Sequence, residues 1–167
     1  MLGIEGIMDN RKKRNKKELQ RASNHLNYEI LMFKALANEL KSSDLKDRFI
    51  KDALFESFLI HLRGLLYFFY TESSRYDDVI VEDFFPCSKE KWLKVRLPKS
   101  DYLQKVQEKI NKEVAHLTYY RLDVTTKEKL WRFFPKIAEE INKVIDIFLK
   151  NVPKELLGKK FKIDDLS

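Results

Sequence analysis

The residues of this chain best suited to chemistry lie in Gln107–Arg121, QEKINKEVAHLTYYR. Leu103, Val106, Ile110, Val114 and Leu117 recur at helical spacing, and at 100° per residue His116 falls about 120° from the centre of that apolar stripe. Its company is Tyr102, Lys109, Lys112, Glu113 and Tyr120. Histidine titrates near neutrality, so here it could move protons while the lysines hold an anionic substrate. From spacing alone, an ordinary surface histidine explains the same pattern.

Other chemistries find less support. Glu113-x-x-His116 has the i,i+3 spacing of di-iron bundles, but such sites need a second copy and two further glutamates, and no second Glu-x-x-His occurs. There is no GxSxG-type nucleophile turn. Cys87 is the single cysteine, so no intramolecular bridge can form, and with no CxxC or Cys/His spacing a reducing, cytoplasmic setting is expected. The acidic run Asp77-Asp78-Val79-Ile80-Val81-Glu82-Asp83 matches no cation-loop spacing and reads as a solvated charge cluster. Neither a metal nor a cofactor is expected.

The elements that must position these residues are helical. The chain has 167 residues, 44% of them hydrophobic, with only four glycines and four prolines, which favours one domain of long uninterrupted helices. The fold class is all-α: a four- to five-helix antiparallel bundle with an irregular insert between the second and third long helices. The first helix is expected from about Asn15 to Lys41, with Leu19, Ala22, Leu26, Ile30, Phe33, Ala37 and Leu40 on one face. His25 falls off that face as a surface residue. Ser42-Ser43-Asp44 should break and re-cap the chain, starting a second helix at Asp44 with the stripe Phe55, Phe58, Leu59, Leu62, Leu65, Leu66 and Phe69. The back of that helix is also apolar or small, through Ala53, Ser57, Ile60, Gly64 and Tyr67. Such a helix is either central to its bundle or pressed against a second molecule, which hints at a dimer. Gly64 costs about 1 kcal/mol relative to alanine in mid-helix, so close backbone approach is expected there. On the shoulders, His61 reads as a satisfied core-edge histidine and Arg63 is left open.

The insert, 73–100, should hold short elements of its own and be packed down as a cover by its aromatics. A third helix is capped at Ser100-Asp101. A fourth begins at the capping box Thr125-Thr126-Lys127-Glu128, and Pro135 should kink or divide it. Residues 1–14 read as a disordered basic leader, 15–158 as the bundle, and 159–167 as a tail with little order. Six cations in Arg11–Lys17, less Glu5 and Asp9, place +4 of the net charge of +7 in the first seventeen residues, so the remainder is only mildly basic. The run reads as a solvated segment before a helix rather than a nucleic-acid arm. The most apolar run, Phe58–Tyr70, is too short to span a bilayer, so no membrane partner is expected.

The segment Ile110-Asn111-Lys112-Glu113-Val114-Ala115-His116-Leu117 resembles the signature of the HEPN superfamily, small helical bundles named for higher eukaryotes and prokaryotes nucleotide-binding. That motif is an Arg, usually followed by a polar residue, then four to six residues and a His, often R-N-x-x-x-A-H. Asn111, Ala115 and His116 match, and KEVAHLTYYR is similar to the abortive-infection and uncharacterised bacterial branches. At the motif arginine the chain departs: that position is Ile110, on the apolar stripe, with Lys109 before it and Asn111 after. Neither Asn nor a mobile Lys replaces the planar, permanently charged fork of an Arg.

The resemblance implies a bundle that pairs as a homodimer through its motif faces, related to RNA, nucleotides or antiphage defence. In active relatives the Arg and His cut RNA without metal, the 2′-hydroxyl attacking the adjacent phosphate. Carried onto this chain, His116 is the acid/base and Asn111 a donor beside it. Lys109, Lys112 and Tyr120 contact the substrate, and Arg63 or Arg121 supplies the missing charge. The alternative it implies is a non-catalytic dimer that binds a nucleotide or a partner protein, and the missing Arg favours that version.

Overall fold

The computed structural model describes residues 12–42, 47–71, 75–85, 89–113 and 125–162. They form five α-helices and no strand: α1 Lys16–Lys41, α2 Arg48–Tyr70, α3 Lys89–Val95, α4 Asp101–Glu113 and α5 Thr125–Asn151, with 3-10 turns at Val81–Phe84 and Lys154–Leu156. Among the described residues no helix is long and apolar enough to cross a membrane.

The start of α1 is set by Asn15. Its side-chain oxygen accepts the Glu18 N–H at 3.0 Å while the Glu18 carboxylate accepts the Asn15 N–H at 2.8 Å, a reciprocal capping box. That backbone bond, with help from Lys12, holds the Glu18 carboxyl below its ordinary value. Asn15→Ala should cost about 1 kcal/mol of stability, read by urea unfolding, because it strands the Glu18 N–H. An unchanged midpoint would show that the cap contributes nothing. Expected disorder up to residue 14 is corrected at its last residues, since the Arg14 guanidinium bonds the Tyr76 carbonyl and lies over the Tyr76 ring. Residues 1–11 lie outside the described set.

The four long helices run alternately up and down. Phe33 meets Phe58 and Glu29 meets His61, so α1 and α2 are antiparallel. Tyr102 meets Phe133 and Ser100 meets Glu140, so α4 is antiparallel to α5. Each helix packs on its ring neighbours, α1 on α2 and α5, α4 on α2 and α5. Across the middle, α2 and α5 lie parallel and share an aromatic ladder: Phe55 with Trp131 at 4.9 Å, Phe58 with Phe134 at 5.9 Å, Phe68 with Phe148 at 5.6 Å. The stripes expected from spacing supply this core. Phe55, Phe58, Leu62, Leu65, Leu66 and Phe69 of α2 are fully buried, as are Ile137, Ile141, Ile145 and Phe148 of α5.

The insert is the expected cover. Trp92 of α3 is fully buried, stacks on Phe85 at 5.6 Å, and donates its indole N–H to the Phe69 carbonyl at 3.4 Å. Phe84 and Phe85 close the same end against Phe148. The acids before it serve local capping. Asp78 accepts from the Tyr67 hydroxyl and the Arg75 N–H, and Asp83 accepts the Ile80 N–H at 3.2 Å.

Four expectations are revised. The second helix begins after Asp47, not at Asp44: the Asp47 carboxylate accepts the N–H groups of Phe49 at 2.7 Å and Ile50 at 3.1 Å. Pro135 does not divide α5, which runs unbroken from Thr125 to Asn151. Pro135 sits on the exposed side, where the carbonyl left without a donor can turn to water. Among the described residues Gly64 meets no approaching backbone; an added Cβ would find only the Glu29 carboxylate, at 3.6 Å. Residues 154–162 are docked on α1, including the first part of the 159–167 tail expected to have little order; 163–167 lie outside the described residues. The Gly158 N–H donates to Ser23 Oγ at 2.8 Å, Gln20 donates to the Glu155 carbonyl at 2.9 Å, and Asn27 reaches the Lys160 carbonyl at 3.4 Å.

Candidate functional site

The motif helix α4 carries its apolar stripe inward: Leu103 and Val106 are each 2% exposed and Ile110 is fully buried. Ile110, the position at which the resemblance would have an arginine, is therefore core. A guanidinium there would lose its hydration.

Burial of that stripe turns a row of lysines outward. Lys105, Lys109 and Lys112 are spaced i, i+4, i+7 and lie along one shoulder of α4, with successive Cα atoms rising about 6 Å and then about 4.5 Å. Lys105 and Lys112 are exposed and Lys109 is half-buried. Asn111 is also exposed, but lies about 160° around the helix from Lys109, on the opposite flank. The structure thus brings Lys109 and Lys112 together and leaves Asn111 apart from Lys109. His116, Tyr120 and Arg121 lie outside the described residues.

At the start of α4, this shoulder faces α5. The Tyr102 ring meets Phe133 edge-on at 6.1 Å, and Lys136 Nζ sits 5.0 Å above the Tyr102 ring. Burial, with the charge of Glu140 nearby, raises the Tyr102 hydroxyl above the ordinary tyrosine range, so it stays a neutral donor at physiological pH. The Ser100 hydroxyl donates to Glu140 at 2.8 Å and accepts the Leu103 N–H at 3.1 Å, pinning the helix start against α5. Phe133 remains 44% exposed and Lys136 is exposed. Together these groups offer point charges for phosphates beside aromatic edges for stacking.

Sequence reasoning took Lys109 and Lys112 from α4 but passed over Lys105, Phe133 and Lys136. Lys105 had a signal, as the residue four before Lys109 on the same stripe. The α5 pair had none without the register in which α4 crosses α5.

The other candidates resolve differently. His61 is buried, its Nδ1 2.7 Å from Glu29 Oε2, with Tyr28 edge-on at 5.8 Å. That ties α1 to α2, the role of a satisfied core-edge histidine. Arg63 is exposed on α2, and among the described residues no carboxylate pairs with it. No group of three His, Cys, Asp or Glu able to hold a metal ion occurs among the described residues. No protein-family model matches this chain, and comparison with curated proteins and with solved structures gives no match.

Proposed function

We propose that this chain is an HEPN-like helical bundle that binds RNA or a nucleotide along the α4 shoulder and, with Ile110 where the motif has its Arg, does not cut it. The observation that carries this reading is the row Lys105, Lys109 and Lys112 beside Tyr102, Phe133 and Lys136. Lysines at helical spacing neutralise successive phosphates, and exposed aromatic edges accept bases without demanding a sequence. In the sequence His116 is the next member of the same series, four residues after Lys112. The resemblance gives His116 the role of a proton donor or acceptor. An arginine fork to hold a phosphate in line for attack is not on α4 among the described residues: Asn111 lies on the flank away from Lys109, Arg63 belongs to α2, and Arg121 lies outside the described residues. The resemblance adds a cytoplasmic, defence-associated setting and a homodimer.

Fluorescence anisotropy with a labelled single-stranded RNA over a salt series tests the reading. The variant Lys105→Ala/Lys109→Ala/Lys112→Ala should bind at least about tenfold more weakly at low salt, with a salt slope flatter by about 2, since each phosphate contact contributes about 0.7 on single strands. Absence of binding by the unaltered protein at low salt defeats the proposal. Incubation with mixed RNAs should give no cleavage; cutting that disappears in His116→Ala would instead establish the endoribonuclease.

A further inference from the structure

Residues 154–161 run along α1 as a strap, and α1 reads the strap's backbone more than its side chains. Gln20, Ser23 and Asn27, spaced i, i+3, i+7 on one side of α1, bond the Glu155 carbonyl, the Gly158 N–H and the Lys160 carbonyl. The Ser23 hydroxyl is left to accept from Gly158 because its own proton goes to the Gln20 carbonyl at 2.9 Å. Glu155, Lys159 and Lys160 keep their side chains exposed. What this seat asks of a sequence is short: an apolar side chain at the buried position of Leu156, no Cβ at Gly158, and an apolar ring at Phe161. Phe161 also closes a turn, its N–H donating to the Gly158 carbonyl at 2.9 Å.

The strap fills the seat incompletely. Asn24 Oδ1 and Asn27 Oδ1 are both buried, and no donor among the described residues reaches either. Asn27 is only 7% exposed, and its amide nitrogen, 3.4 Å from the Lys160 carbonyl, holds that amide against the strap. Asn24 Oδ1 points at Gly158, 2.4 Å from where a Cβ would stand. A buried acceptor without a donor is costly, so the seat keeps unused binding capacity on the side that faces its occupant.

We propose that this seat on α1 is a docking site for a peptide turn of the form Leu-x-Gly-x-x-aromatic on a partner protein, with 154–161 as its intrachain occupant. The preferred ligand also carries a short hydroxyl or amide donor in the turn, which satisfies Asn24 or Asn27. The strap is placed to give way. α5 ends at Asn151 and Pro153 follows in extended backbone, so the strap can swing there without unwinding the helix. Of residues 154–161 only Leu156 is buried. A segment with so little apolar burial opens well before the whole chain unfolds. Its tether gives it an effective concentration in the millimolar range, so a partner displaces it only by better complementarity, and the spare acceptors supply that.

The inference needs only α1 and the strap and does not rest on the anion-binding reading. The probe is a synthetic peptide of residues 153–162, PKELLGKKFK, titrated into the full chain by calorimetry. The unaltered chain should bind it weakly, because its own strap competes. Gly158→Ala and Leu156→Asp change the strap and leave the seat intact, so each should tighten peptide binding at least about tenfold. The peptide carrying Gly158→Ala should bind neither chain. In amide spectra of the Gly158→Ala chain, the unaltered peptide should return the Ser23, Asn24 and Asn27 signals toward their positions in the parent, which unspecific adhesion would not do. Peptides varied at Lys159 and Lys160 should favour Ser, Thr or Asn; a flat response overturns the donor requirement. If neither variant binds the peptide while its circular dichroism stays helical, or if both unfold, the strap is a fixed part of the fold and the proposal fails. A dimer formed by strap exchange in place of peptide binding would make the occupant a second copy and overturn it as well.

Discussion

Replacing Phe148 with alanine is expected to remove about 3–5 kcal/mol of stability, the usual cost of deleting a fully buried ring. The side chain has no exposure and stands where three parts of the molecule meet. It contacts Phe68 and Phe69 of α2, Phe84 and Phe85 of the insert, and Trp92 of α3, with ring centres 5.6–6.3 Å away. Most of these contacts are edge-to-face, and each such pair adds about 0.5–1.5 kcal/mol beyond burial alone. The midpoint of thermal unfolding should fall by roughly 6–20 °C for a chain of this size. Proteolysis should also reveal early cutting within 75–98, because the insert loses the ring it is packed on. A loss under about 1 kcal/mol would mean that the cover is held by something else.

The second large effect is expected at Gly158. An added Cβ would stand 2.3 Å from the Gln20 carbonyl oxygen and 2.4 Å from Asn24 Oδ1. The carbonyl belongs to the backbone of α1 and cannot step aside. Gly158→Ala must therefore lift the segment off α1, straining the Gly158–Ser23 hydrogen bond and uncovering Leu156. Overpacking of this kind costs about 1–3 kcal/mol, and the strained hydrogen bond adds to it. Gly64→Ala is the internal control. Its Cβ would meet only the Glu29 side chain at ordinary contact distance, so at dilute concentration it should stabilise α2 by up to about 1 kcal/mol. Urea unfolding of both variants decides the matter. If Gly158→Ala is as stable as the parent, the segment is not docked as described.

Much of this architecture is legible in the amino-acid sequence, and the reasons are local. The apolar residues of α1, α2 and α5 repeat every three to four positions, and a helix in water has one way to bury such a stripe. Asn15 with Glu18 states its cap outright. The start of α2 is different. Ser42, Ser43, Asp44 and Asp47 are all competent caps within six positions, and no local preference separates them. Pro135 misleads because its usual cost assumes that the helix is free to break there. The buried stripe on the opposite side of α5 holds the helix as one piece. Gly158 carries no local signal, since its requirement comes from a helix far away in sequence. The candidate site divides along the same line. Lys109 and Lys112 share a shoulder of one helix and so can be seen in the sequence, whereas Phe133 and Lys136 join them only through the crossing of α4 and α5.

The diagonal ladder between α2 and α5 constrains how these two helices can move against each other. Phe55, Phe58 and Phe68 meet Trp131, Phe134 and Phe148 along most of both helices, the last pair about one turn out of step with the first two. Displacing α5 along its axis by a turn, about 5.4 Å, would unseat every ring at once. A tilt about the ladder keeps the rings seated and moves the ends of α5 in opposite directions. Movement of α5 against α2 is therefore a lever motion, with the aromatic ladder as its fulcrum.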